Sequence, residues 1–156
     1  MNFEIVEMEE FSGEKAHIYS VCLNGCEESL LEQFFNENEC YQSELSTIVE
    51  KLLVMGKTTG CRRTYFKHNE GTLGDGVAVL KAGQLRLYCL YFDNTAVFFG
   101  SGGYKPREAH AYQEVPELNA KAQQMRQIAT AINQKIKDKE WIIDEDGNLI
   151  MEGESL

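Results

Sequence analysis

Apolar positions along this chain follow two periods, and the change from one to the other divides it into elements. From residue 77 to 100, β-branched and aromatic residues fill the space between turn signals at Ala82-Gly83 and Asp93-Asn94. Three strands are expected there, Val77–Lys81, Gln84–Phe92 and Thr95–Gly100, joined as antiparallel hairpins. Period-two alternation along the middle strand sends Leu85, Leu87, Cys89 and Tyr91 one way and Gln84, Arg86, Tyr88, Leu90 and Phe92 the other. Helical spacing governs two other stretches. Leu45, Ile48, Val49, Leu52 and Leu53 form one stripe, capped by Ser43 and stopped by Gly56; Leu118, Ala122, Met125, Ala129, Ile132 and Ile136 form a second over 117–137, with Pro116 in its first turn. A shorter helix, Glu27–Asn36, buries Leu30, Leu31, Phe34 and Phe35. Two strands, Asn2–Met8 and Lys15–Leu23, make an N-terminal hairpin around Ser12-Gly13-Glu14, and a closing hairpin, Trp141–Asp144 with Asn148–Glu152, turns at Asp146-Gly147. The pattern predicts an α+β domain in which helices pack on an antiparallel sheet, with a hairpin at each end of the chain.

Composition narrows the class. With 156 residues, 43% of them hydrophobic and only two prolines, the chain has the material for one globular core, which we take to span residues 25–140 with the last hairpin added at 141–152. Its start, MNFEIVEMEE, has neither the basic nor the apolar region of a secretory leader, and no apolar run reaches membrane-span length. A cytoplasmic location without membrane attachment is expected, with Cys22, Cys26, Cys40, Cys61 and Cys89 as reduced thiols. Cys22 and Cys26 form a C-x3-C pair, but no second pair or clustered histidine completes a metal site, so neither metal nor cofactor is expected.

The net charge of −10 is unevenly distributed. Residues 1–60 hold twelve acids and three bases, residues 61–115 five acids and seven bases, and residues 116–156 eight acids and five bases. The strand region alone is positive. Either the acids solvate helix surfaces, or an acidic shell surrounds a basic functional face. Arg86 and Tyr88 share one face of the middle strand, and the last strand leads into Ser101-Gly102-Gly103-Tyr104-Lys105-Pro106, a glycine-rich loop followed by a phenol and a cation. Such a face beside such a loop suits a phosphate, although Arg86 in a structural ion pair and Tyr88 in the core remain open. Arg62, Arg63, Lys67 and His68, interleaved with Tyr65 and Phe66, form the densest basic segment. It is either an edge strand defended by charge or part of a nucleic-acid surface. The loop NEGTLGDG at 69–76 lacks the Gly-Lys-Ser/Thr ending and helix start of a nucleotide-binding loop.

The order of elements, with LRLYCLYFDNTAVFFGSGGYKP from Leu85 to Pro106 as its core, resembles the RelE/ParE/HigB superfamily of bacterial toxins, over residues 25–137. That resemblance implies a compact microdomain, the toxin half of a type II toxin-antitoxin system, and an endoribonuclease that cuts messenger RNA on the ribosome. It also implies an antitoxin protein as partner. The chemistry is metal-independent: the ribose 2′-hydroxyl attacks its own phosphate while a base, cations and an acid manage the charge. On this reading Arg86 holds the phosphate, Lys105 belongs to the basic loop after the last strand, Lys81 is a weaker match to a family base, and Tyr104 lies beside them. Arg62, Arg63, Lys67 and His68 are RNA-contact candidates.

Two other functions stay open from the residues alone. The net charge opposes RNA and fits a non-catalytic binding or regulatory protein on the same fold. A small-molecule enzyme with Cys61 or Cys89 as nucleophile is the third, and lacks a companion histidine in sequence.

Overall fold

The computed structural model describes residues 2–68, 76–109 and 115–151. Five strands form one sheet: β1 (Phe3–Glu7), β2 (His17–Leu23), β3 (Val77–Ala82), β4 (Leu85–Asp93) and β5 (Ala96–Tyr104), in the order β1-β2-β5-β4-β3. The expected hairpins are present, but the sheet is mixed rather than antiparallel. β2 runs parallel to β5, pairing His17 with Ala96 through Ser20 with Phe99. A parallel partner must come through a long crossover, which here consists of α1 (Leu30–Glu37), α2 (Gln42–Val54) and the chain up to β3 and β4. Hydrophobic alternation fixes which face a strand buries, but carries no information on neighbour direction.

Both faces of the sheet are covered. Leu87, Cys89, Val97 and Phe99 pack with Leu31 and Phe34 of α1 and Ile48 and Leu52 of α2. Val79, Tyr88, Leu90 and Phe98 pack beneath α3 (Pro116–Lys137) through Ala122, Met125, Ile128 and Ile132. Both expected helical stripes therefore face the sheet, from opposite sides.

Local chemistry moves several boundaries. α1 begins at Leu30 because Ser29 and Glu32 make a capping box, in which Ser29 Oγ accepts from the Glu32 N–H at 3.1 Å. Ser43 does not cap α2, which starts one residue before it with Tyr41 at the cap position. Gly56 does not stop α2 either. The helix runs on as a π-turn over Met55–Thr59 and ends at Gly60, whose φ of 79° only glycine adopts easily. Gly56 serves close approach instead: its carbonyl accepts from the Lys15 and Ala16 N–H groups, and a Cβ there would lie 1.8 Å from Phe11 O. The basic segment is not an extended strand. Arg63–Tyr65 is a 3-10 turn, and Lys67 alone bridges to Val79 on the outer edge of β3. The loop at 69–75 lies outside the described residues.

The largest difference falls at Ser101-Gly102-Gly103-Tyr104, expected as a flexible loop. It is the second half of β5, paired with β4 through Leu87–Gly102, Arg86–Gly103 and Leu85–Tyr104. A bulge sets Gly100 and Ser101 opposite Tyr88, and beyond it a Cβ on Gly102 would lie 1.8 Å from Arg86 O. The glycine that reads as a loop signal is there because two strand backbones meet closely.

The closing hairpin, β6 (Trp141–Ile143) and β7 (Leu149–Met151), joins the layer of α3, with Trp141, Ile143 and Leu149 packed on the core under that helix. Tyr19 of β2 ties it down: its hydroxyl donates to Gly147 O at 2.7 Å and accepts from the Leu149 N–H at 2.9 Å. Among the described residues no helix is long and apolar enough to cross a membrane. Replacing Tyr19 by Phe leaves a buried carbonyl at Gly147 and a half-buried N–H at Leu149 unsatisfied and should cost about 1–3 kcal/mol. Urea unfolding measures this, and the Leu149 amide should exchange faster than the core of β5; an unchanged midpoint would show that the hairpin does not depend on this bond.

Candidate functional site

The β3–β4 hairpin positions the sequence candidates at one end of the sheet. Lys81 and Arg86 stand directly opposite each other in the ladder, on the face covered by α3, and Gly103 of β5 lies on the other side of Arg86. Directly paired residues hold their Cβ atoms about 5 Å apart, so two cations are concentrated there. Lys105 follows β5, held by its N–H donating to Gln84 O and by Gln84 Nε2 donating back to Lys105 O, both at 2.8 Å. Lys51 of α2 adds its ammonium from the side, donating to Lys81 O at 2.8 Å.

Arg86 is 5% exposed, and its guanidinium is fixed in place. Nη1 donates to Gly83 O at 2.8 Å and Leu85 O at 3.1 Å, which ties the cation to the β3–β4 turn. A guanidinium held on carbonyls cannot wander, so the field near the end of β4 is preorganised. Tyr88, sharing that face, is fully buried beneath α3 and belongs to the core.

Tyr104 is separated from this group. It pairs with Leu85, so its side chain leaves on the opposite face, where its ring stacks on Tyr41 with centroids 4.7 Å apart and planes within 10°. The basic segment is separated as well. Tyr91 of β4 anchors it: its hydroxyl donates to Cys61 O at 2.7 Å, its ring meets Phe66 and His68 edge-on, and Arg63 Cζ lies 6.0 Å from its centroid. His68 Nε2 is 2.9 Å from Arg63 O. Arg62, Arg63 and Lys67 are exposed. Tyr91 lies five positions beyond Arg86 along β4, about 17 Å away, and the two side chains leave opposite faces. The positive charge of residues 61–115 is thus divided between two sites.

Glu44 of α2 reaches the same turn, its Oε2 3.9 Å from where a Cβ on Gly83 would stand, whereas the histidine of the N-terminal hairpin lies elsewhere. His17 Nδ1 is 2.6 Å from Glu7 Oε2, but His17 aligns with Ala96, at the far end of β5 from Gly103. Among the described residues no cluster of His, Cys, Asp or Glu could hold a metal ion. Burial pushes the Cys61 thiol up to about 12, with Asp93 adding to it, and raises Cys89 well above its ordinary value. A nucleophilic cysteine needs the opposite shift.

A groove of about 710 Å³ opens beside the second half of β5. Tyr41 and Tyr104 form one wall, Val115 and Leu118 at the start of α3 the other, and Gly102 and Gly103 the floor. Sequence reasoning named Tyr104 but not Tyr41, because the two rings meet only through the fold; likewise nothing local marks Tyr91 as the anchor of a segment thirty residues earlier. Set against known proteins, the chain matches no family model, no curated protein and no solved structure.

The buried thiols carry a pH prediction. Their folded-state values lie above the ordinary 9.0, so the native state holds these protons more tightly and stability is complete below pH 9. It should fall as pH rises from 9 toward 12, joined from pH 10 by Tyr19, which burial raises to about 12. Urea midpoints across this range should drop for the wild type. A Cys61→Ala, Cys89→Ala variant should start lower and stay flatter between pH 9 and 10; parallel curves would contradict this assignment.

Proposed function

We propose that this protein is a toxin of the RelE/ParE/HigB kind, a metal-independent endoribonuclease acting on ribosome-bound messenger RNA in the cytoplasm and silenced by an antitoxin. The observation that carries the reading is the register that sets Lys81 against Arg86 on one sheet face, with Lys105 just beyond Gly103. Cations on two adjacent strands and the residue after a third suit one phosphate better than a scattered surface charge does. The strand order also suits it, since two helices cross over to bring the last strand parallel to the strand before them.

In this reading the ribose 2′-oxygen forms a bond to phosphorus and the bond from phosphorus to the 5′-oxygen breaks. Water takes the 2′ proton, Lys81, Arg86 and Lys105 bear the charge that develops on the phosphoryl oxygens, and the 5′-oxygen leaves with a proton taken from water. Tyr104, on the other face, has no part in this step. Arg62, Arg63, Lys67 and His68 make a separate contact with RNA backbone. A second reading, a non-catalytic binding or regulatory protein on this fold, is favoured by the charge of −10 and by the Arg86 Nη1 bonds to its own turn.

Purified protein, ribosomes and a defined messenger RNA distinguish the two. The wild type should cut the RNA without added metal, and Lys81→Ala should lose about a hundredfold in rate, near 3 kcal/mol, while folding normally. Arg86→Ala should lose as much and also stability, so Arg86→Lys, which keeps the charge but not the fork, is the informative partner. Intact RNA with the wild type would transfer the assignment to the binding reading, and equal cutting by all variants would remove these residues from the chemistry.

A further inference from the structure

Lys67 belongs to the basic segment by sequence but to the face of Lys81 and Arg86 by structure. It bridges Val79 in antiparallel fashion, its N–H donating to Val79 O at 2.9 Å and its O accepting from the Val79 N–H at 2.8 Å. Residues paired in this way send their side chains to one face, so Lys67 leaves with Val79 on the side of α3, while Phe66 before it enters the layer under α1 and α2. Arg63 and His68 stay with Tyr91, whose ring lies on that other side. Lys67 is exposed and, among the described residues, in no ion pair.

Register sets the distance from Lys67 to the cations of the sheet. Val79 turns its N–H and C=O outward to Lys67, so Lys81, two residues on, turns its own to the same outer edge and away from Arg86. Lys81 and Arg86 are therefore a pair of the closer kind, with Cα atoms about 4.5 Å apart, and Lys67 is the diagonal neighbour of Lys81 at about 7–8 Å. Lys51 reaches the same edge from α2. Its Nζ donates to Lys81 O at 2.8 Å, which uses one of the three donors of the ammonium. Lys67, Lys51, Lys81 and Arg86 thus come together from separate segments of the chain. The carboxylates near them, Glu44 beside Gly83 and Glu50 beside Lys51, both stand on α2, which covers the opposite side of the sheet from the Lys67 and Lys81 side chains.

We infer, on the reading that this protein cleaves RNA at Lys81 and Arg86, that the messenger strand runs along the outer edge of β3, with the phosphate next to the one cut lying at Lys67. One nucleotide and two residues of strand each contribute six backbone bonds, so an extended RNA repeats its phosphate at about the interval at which β3 repeats its side chains, about 7 Å. Lys67 and Lys81 stand one such interval apart. Lys51 lies at the level of Lys81 and adds its charge to the phosphate held there. Contacts of this kind read charge and spacing, not sequence. A phosphate held away from the cut is bound equally before and during the reaction, so Lys67 sets affinity and leaves the chemical step alone.

Titration of the isotopically labelled full chain with a hexanucleotide of 2′-O-methyl RNA, which lacks the attacking hydroxyl, tests the path apart from cleavage. The amide signals of Lys67, Val79 and Lys81 should shift together. Lys67→Ala should weaken binding about tenfold and lower the slope of log affinity against log salt by about 0.7, the share of one phosphate contact on a single strand. Lys51→Ala should lower that slope as well, which loss of its bond to Lys81 O alone would not do. Lys135→Ala removes an equal charge beside Phe3 of β1, at the other edge of the sheet, and should change neither quantity. With ribosomes and a cleavable messenger, Lys67→Ala should raise KM about tenfold and keep kcat within about twofold. Equal losses from Lys67→Ala and Lys135→Ala would mean that the RNA senses net charge alone, and would overturn the path. Cutting by the wild type without shifts at Lys67 and Val79 would overturn the path and leave the cleavage reading standing. Shifts at Lys67, Val79 and Lys81 in a protein that cuts nothing would do the reverse, keeping the path as a binding surface.

Discussion

The structure depends on the burial of β5 from both faces and, over its first half, from both edges. Val97 and Phe99 enter the layer under α1 and α2, Ala96 and Phe98 the layer under α3, and none of the four is exposed. At about 1.5–3 kcal/mol for each large apolar side chain removed from water, this one strand joins the two halves of the core. A strand buried this way tolerates no charge, so the basic side chains of the sheet stand at its ends. Lys81, Arg86 and Lys105 collect at one end, and the Tyr91-anchored basic segment at the other.

Burying Arg86 would be costly for a charge left without partners. Its guanidinium meets the Gly83 and Leu85 carbonyls, and the turn it closes is the one that sets Lys81 opposite it. Fold and candidate chemistry therefore share a residue, as they do at Gly102. The close approach of Gly102 to Arg86 O lets β5 continue past its bulge, and that continuation creates the Tyr41–Tyr104 wall of the groove. The cationic end and the groove lie at the same end of the sheet.

How much of this was legible in the sequence differs by kind of information. Local periodicity determined the strands near 77–81 and 84–92 and the two amphipathic helices, because each pattern reports which side of an element is apolar, and that depends on residues within a few positions of one another. Tertiary structure decided that β2 runs parallel to β5, that the chain from Ser101 to Tyr104 is strand, and that Arg63–Tyr65 coils around Tyr91. Each of these rests on a contact between segments far apart in the chain. The cations at 81, 86 and 105 were nameable from composition and resemblance, and Arg86 was placed on the correct face by alternation. Tyr104 was placed beside them although one step of the same alternation sends it to the other face, since its loop-like context hid the strand. Residue type and spacing thus settled which side chains could carry chemistry. Their company was settled only by strand order and register, which arise from packing across the whole core and leave no mark on neighbouring residues.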